Sequence, residues 1–122
     1  MRYLSNAFSL GMIDFLHHED GGCSLFYPEL SGATLESAKR WLSEADWESC
    51  VGHADTAELL TAMLGVPVPV RRVSTSLQFD DEILVAQYNG PRLPEGTRTL
   101  PEGAKVRWYL IRLISVDEVP HY

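Results

Sequence analysis

Gly52-His53-Ala54-Asp55-Thr56 puts an imidazole within two residues of the start of a helix. Asp55 and Glu58 have the spacing of a capping box. Leu59, Leu60, Met63 and Leu64 form an apolar stripe behind them, and Gly65 marks the end. The first-turn amides of a helix lack carbonyl partners and the helix dipole adds to their charge, so such an end readily takes a phosphate. A histidine beside a bound phosphodiester can protonate a departing oxygen. It can also do no more than open the helix, and position alone leaves both readings standing.

Other polar residues are weaker candidates. Arg92 and Glu95 sit three apart in Arg92-Leu93-Pro94-Glu95-Gly96, with Arg98 following; taken alone they describe a solvated turn. Asn6 and Ser9 follow the first strand, where short polar side chains can meet a ligand at the carboxyl end. His17 and His18 precede Glu19 and Asp20, but no second cluster with metal spacing accompanies them, and the negative end of a helix explains two histidines without a metal. Cys23 and Cys50 stand alone, as ordinary reduced thiols do, so neither a zinc site nor a redox pair is expected. No glycine-rich phosphate loop, GxSxG or HExxH occurs. No cofactor is expected.

The elements that must carry these residues can be read from patterning. Arg2 to Asn6 and Cys23 to Tyr27 suit short strands, and Leu10 to Leu16 a helical turn. Leu35, Ala38, Trp41, Leu42 and Ala45 lie on one helical face. Beyond the prolines at 67 and 69, Val73, Thr75, Leu77 and Phe79 alternate as in a half-buried strand. Asp80-Asp81-Glu82 turns the chain and Ile83 to Tyr88 returns, which predicts an antiparallel hairpin. Three Pro and three Gly between Asn89 and Gly103 predict a long irregular loop, a kind of segment that is usually functional. Val106 to Ile114 closes the sheet and 115–122 is read as a tail. No internal repeat is read. The expectation is one α/β domain over residues 1–122, with a central mixed sheet of about five strands flanked by helices.

With 122 residues, 45% of them hydrophobic, the chain is long enough for one core without staples. A net charge of −7 disfavours a protein that tracks long DNA or RNA, though a small anionic ligand can still find a locally positive pocket. Neither a signal peptide nor a membrane span is read, so a cytoplasmic location is expected.

Tyr3-Leu4-Ser5-Asn6-Ala7-Phe8-Ser9 resembles the opening strand and loop of the viral ring nucleases that act as type III anti-CRISPR proteins and have bacterial relatives. The resemblance extends to Val51-Gly52-His53-Ala54-Asp55-Thr56, Arg72-Val73, Gln87 and Arg92-Leu93-Pro94-Glu95-Gly96, and covers most of residues 2–114. The family's step between the Gln-bearing strand and the Arg is shorter; Asn89-Gly90-Pro91 adds a residue here.

The resemblance implies a homodimer whose facing surfaces bind cyclic tetra-adenylate, the second messenger of type III CRISPR defence, and cleave it. It makes His53 and Glu95 the catalytic pair and Asn6, Ser9, Arg72, Gln87 and Arg92 the substrate-binding residues. RNA carries its own nucleophile, so an aligned 2′-hydroxyl can attack the adjacent phosphorus without a metal while His53 protonates the leaving 5′-oxygen. Products would be linear di-adenylates with 2′,3′-cyclic phosphate ends, and a two-fold dimer presents the same histidine twice to a symmetric ring. Two other readings remain: a sponge that binds the ring without cutting it, and an acidic interaction protein that blocks a host defence complex.

Overall fold

Strand β4 (Glu82–Asn89) organises the domain. Ile83 and Val85 point to one face and Leu84 and Ala86 to the other, and all four are buried, as in a strand covered on both sides. The computed structural model describes residues 1–7, 24–26, 34–72, 77–78 and 80–114. Its elements are β1 (Arg2–Ser5), β2 (Ser24–Phe26), α1 (Thr34–Glu44), β3 (Glu48–Ser49), α2 (Ala54–Leu64), β4 and β5 (Lys105–Ile114). They form a small single-domain α/β fold with a mixed sheet in the order β2-β5-β4-β1-β3. β3, β1 and β4 run parallel, whereas β5 is antiparallel to β4 and β2 antiparallel to β5.

Both helices pack on one face of the sheet. Ala38, Trp41 and Leu42 of α1 and Ala57, Leu60 and Leu64 of α2 share a core with Leu4, Leu84, Ala86 and Trp108. The α1 stripe is therefore as the spacing predicts, except that Ala45 lies beyond the helix end and is exposed. Trp41 Nε1 donates to Glu82 Oε2 at 2.9 Å, and Arg2 donates to the Trp41 carbonyl at 2.8 Å while lying over the indole, tying α1 to the first residues of β1 and β4. On the other face Leu77, Ile83, Val85 and Ile111 cluster with Tyr3 and Tyr109.

The expected hairpin is corrected. β4 pairs antiparallel with β5, from Glu82↔Arg112 to Asn89↔Lys105, and its other edge carries β1 from Arg2↔Glu82 to Ser5↔Val85. A strand has two edges, so none is left along Glu82–Val85 for the segment before it. Alternation announced a strand but could not name its neighbour. Of that segment, residues 73–76 and 79 lie outside the described residues, as do the expected turn at Leu10–Leu16, His17, His18, Cys23 and the tail.

The connection from β4 to β5 contains a short repeat, against the expectation of none. Leu93-Pro94-Glu95-Gly96 recurs as Leu100-Pro101-Glu102-Gly103. Each copy closes a turn in which the residue after glycine donates its N–H to the proline carbonyl, Thr97 to Pro94 at 3.2 Å and Ala104 to Pro101 at 3.0 Å. Gly96 and Gly103 have φ of 77° and 80°, the left-handed conformation that disfavours a side chain. The loop's neck is narrow: a Cβ added at Gly90 would stand 2.6 Å from the Ala104 Cβ and 2.8 Å from the Tyr88 hydroxyl.

Candidate functional site

Because β1, β3 and β4 are parallel, their carboxyl ends emerge on one edge, where α/β sheets generally gather ligands. Asn6 follows β1, Gly52 and His53 follow β3, and Gln87 lies near the end of β4, exposed and in register with Arg107. The loop from Gly90 to Ala104 returns on the same edge. The fold thus assembles residues from separate parts of the chain; Ser9 lies outside the described residues.

The formal ladder of β3 ends at Ser49, yet the chain stays laced on both sides as far as Gly52. Toward β1, Cys50 N–H donates to the Leu4 carbonyl at 2.7 Å, and Gly52 N–H to Asn6 Oδ1 at 3.5 Å. Toward the segment after α2, Ser49 Oγ donates to the Pro69 carbonyl at 2.6 Å and Arg71 N–H to the Val51 carbonyl at 2.8 Å. Arg72 Nε then donates to the Gly52 carbonyl at 2.5 Å.

This extended run ends at His53, which is itself the N-cap of α2, so the capping position expected at Asp55 is corrected by two residues. His53 has φ −122° and ψ 129°, and its carbonyl accepts the Ala57 N–H at 2.9 Å. Its side chain makes no cap hydrogen bond and is exposed. The first-turn donors are thus not taken up by the cap residue's side chain. Asp55, in the first turn, complements the dipole instead. The C-terminal signal is as predicted: Gly65, with φ 73°, donates to the Thr61 carbonyl.

The first Leu-Pro-Glu-Gly turn docks on this helix start. Leu93 is buried, and the Tyr88 hydroxyl donates to the Pro91 carbonyl at 2.5 Å. Between turn and helix lies an open cleft of roughly 520 Å³ lined by Ala54, Asp55, Glu58, Arg92, Leu93, Pro94 and Glu95. His53 directly precedes its first lining residue. A smaller, more apolar hollow of roughly 350 Å³ adjoins it along α2, with Thr61, Val68 and Val70 in its wall, and the Arg98–Glu58 ion pair at 3.5 Å stands at its rim.

Three carboxylates line the larger cleft against one guanidinium, so positive potential there must come from Arg92 and the helix amides. Sequence reasoning had not assigned Asp55 or Glu58 to a cleft wall; only the docking of a distant loop puts them there. The Tyr3 phenol is held above its ordinary range by burial and then by the charges of Asp81, Glu48 and Cys50, against Arg71. It belongs to the opposite face of the sheet from α1 and α2. Among the described residues no three of His, Cys, Asp and Glu group as a metal site would require, and no helix is long and apolar enough to cross a membrane.

The arrangement is that of a small α/β protein whose loop and helix N-terminus flank an open cleft, and its kinship is specific. The sequence model of the STIV B116-like family matches residues 2–109, and the chain belongs to that family. Its fold is similar to that of B116 of Sulfolobus turreted icosahedral virus, with a TM-score of 0.68 over 91% of this chain and 97% of that one, at 22% identity. It is also 37% identical over 51 residues to "Uncharacterized protein 26" of Sulfolobus islandicus filamentous virus (isolate Iceland/Hveragerdi). That match takes in 42% of this chain and 43% of the viral protein's length. Both relatives are viral proteins.

Proposed function

We propose that the protein is a metal-independent ring nuclease that binds cyclic tetra-adenylate as a homodimer and cuts it to linear di-adenylates with 2′,3′-cyclic phosphate ends, switching off type III CRISPR signalling. The observation that carries the reading is His53 at the N-cap of α2, exposed, beside a cleft that holds Arg92 and Glu95. The helix amides and Arg92 receive a phosphate. The 2′-oxygen bonds to phosphorus as its proton passes to Glu95, and the bond to the 5′-oxygen breaks as His53 protonates it. Gln87, at the end of β4, and Ser9 bind the nucleosides. The net charge of −7 disfavours an extended RNA strand, which would spread its phosphates across an acidic surface, whereas a compact ring needs only the local positive positions at Arg92 and the helix amides.

The test is incubation with cyclic tri-, tetra- and hexa-adenylate in chelator, with chromatography of the products and sedimentation at micromolar protein. Cleavage of the tetra-adenylate by a dimer is expected. In single turnover His53→Ala should lower the rate about 10²–10⁴-fold with ring affinity largely kept. Tight binding without cleavage would make the protein a sponge. Indifference to every ring would leave the interaction protein.

A further inference from the structure

We infer that Arg107 of β5 holds the phosphates of the ring that are not cut, an assignment that rests on the function proposed above. Cutting a tetra-adenylate ring into two di-adenylates breaks alternate phosphodiesters and leaves the others intact. In a two-fold dimer each protomer therefore meets one phosphate that is cut and one that is not. The helix amides and Arg92 serve the first. The second needs a cation of its own, apart from the groups that move protons.

Strand register supplies one. Arg107 stands directly across the β4–β5 ladder from Gln87, and opposed residues of an antiparallel pair project to the same face with Cβ atoms about 4.5–5.5 Å apart. Both are exposed, near the carboxyl end of β4, so a nucleotide engaged by Gln87 lies within reach of the longer arginine. Among the described residues no carboxylate pairs with Arg107, whereas Arg2, Lys39, Arg71, Arg98 and Arg112 each have one. Lys105, two residues earlier on the same face and opposite Asn89, is exposed and adds a second positive charge. From Val85↔Tyr109 to Asn89↔Lys105 this face of the ribbon thus holds two cations and no carboxylate, while the cleft sets three carboxylates against one guanidinium. On a chain of net charge −7 such a patch attracts a phosphate that the surrounding surface repels. A planar guanidinium grips two phosphate oxygens at once, which an ammonium does not, so the contact falls to Arg107 and Lys105 adds to the field.

Arg107→Gln should weaken the affinity for cyclic tetra-adenylate about ten- to a hundredfold, as loss of a charge-assisted hydrogen bond does. The single-turnover rate of the bound ring should stay within about threefold of wild type, because the groups at the reacting phosphate are untouched. An exposed side chain is replaced, so the urea midpoint should not move. Arg40→Gln makes the same change of charge on α1, the helix tied to the first residues of β1 and β4, and should alter neither affinity nor rate. An analogue ring locates the contact: two opposite linkages are neutral methylphosphonates beside 2′-deoxyriboses, and a reference ring has ordinary phosphates beside the same 2′-deoxyriboses. The missing hydroxyls confine cutting to the other two linkages. Wild type should bind the neutral ring about ten- to a hundredfold more weakly than the reference ring, and Arg107→Gln should bind the two within about threefold of each other.

If Arg107→Gln binds and cuts the ring as the wild type does, the assignment is overturned and the proposed function stands. Equal losses on neutralising the linkages in both proteins would also overturn it, since the uncut phosphates would then rest on other residues. Normal binding with slow cutting would move Arg107 to the reacting phosphate and overturn it as well. A wild type that neither binds nor cuts cyclic tetra-adenylate would overturn the proposed function and this assignment together.

Discussion

The two Leu-Pro-Glu-Gly turns share their residues, their hydrogen bond and the left-handed glycine, yet they sit differently on the molecule. In the first, Leu93 is 8% exposed and Glu95 lines the cleft at the start of α2. In the second, Leu100 is 38% exposed and Glu102 faces solvent. The turn is thus a neutral holder for a glutamate, and the leucine before it decides whether that glutamate reaches the site. Arg92 stands ahead of the first copy, where the second has Thr99, so the docked turn brings its glutamate to a cleft that an arginine also lines.

Four measurements would break or sharpen this contrast. The largest effect is expected from the glutamates: Glu95→Gln should lower single-turnover cleavage of cyclic tetra-adenylate by about 10²–10⁴-fold, while Glu102→Gln leaves it within about twofold. Equal losses would mean that the turns differ in position but not in role. Next come the leucines. By urea denaturation Leu93→Ala should cost about 2–4 kcal/mol and Leu100→Ala less than about 0.5 kcal/mol, because only the first opens a cavity.

The glycines should behave alike. An added Cβ at Gly96 or Gly103 meets nothing within 4 Å, so each alanine variant bears only the left-handed backbone's cost, about 1 kcal/mol. A clear difference in midpoint between the two would show that the turns are not backbone equivalents. The smallest effect is expected at the rim, where Arg98→Ala breaks a pair whose arginine side chain is 75% exposed. Stability should move by less than about 0.5 kcal/mol.

Legibility from sequence followed the range of the interactions involved. Helix α2 was readable nearly to the residue, because its stripe and Gly65 are local signals, and α1 nearly so. The cap slipped from His53 to Asp55 because an acidic residue followed three later by Glu imitates a capping box, whereas the N-cap here contributes its backbone and not its side chain. The β4 partner was misassigned for the opposite reason. β1 reaches β4 from the other end of the chain and β5 only across the loop from Gly90 to Ala104, and alternation encodes burial but not neighbours.

In the site, Arg92 and Glu95 were picked out by the family motif, and their approach to α2 depends on the burial of Leu93, which no periodicity marks in an irregular loop. The repeated tetrapeptide at a seven-residue step stands in the letters, but a unit so short builds no supersecondary structure and so lies outside the repeat periods that announce a fold.

The close approach of Gly90 to Ala104 and Tyr88 bears on how such a protein can diversify. With its neck pinched shut, the segment between these glycine and alanine positions is a cassette on a rigid stem, and the β4–β5 register from Glu82↔Arg112 to Asn89↔Lys105 does not depend on what the cassette contains. Closing a loop of twice the length costs only about 0.6 kcal/mol more. Added or lost residues can therefore reshape the rim of the cleft while the sheet beneath keeps its pairing.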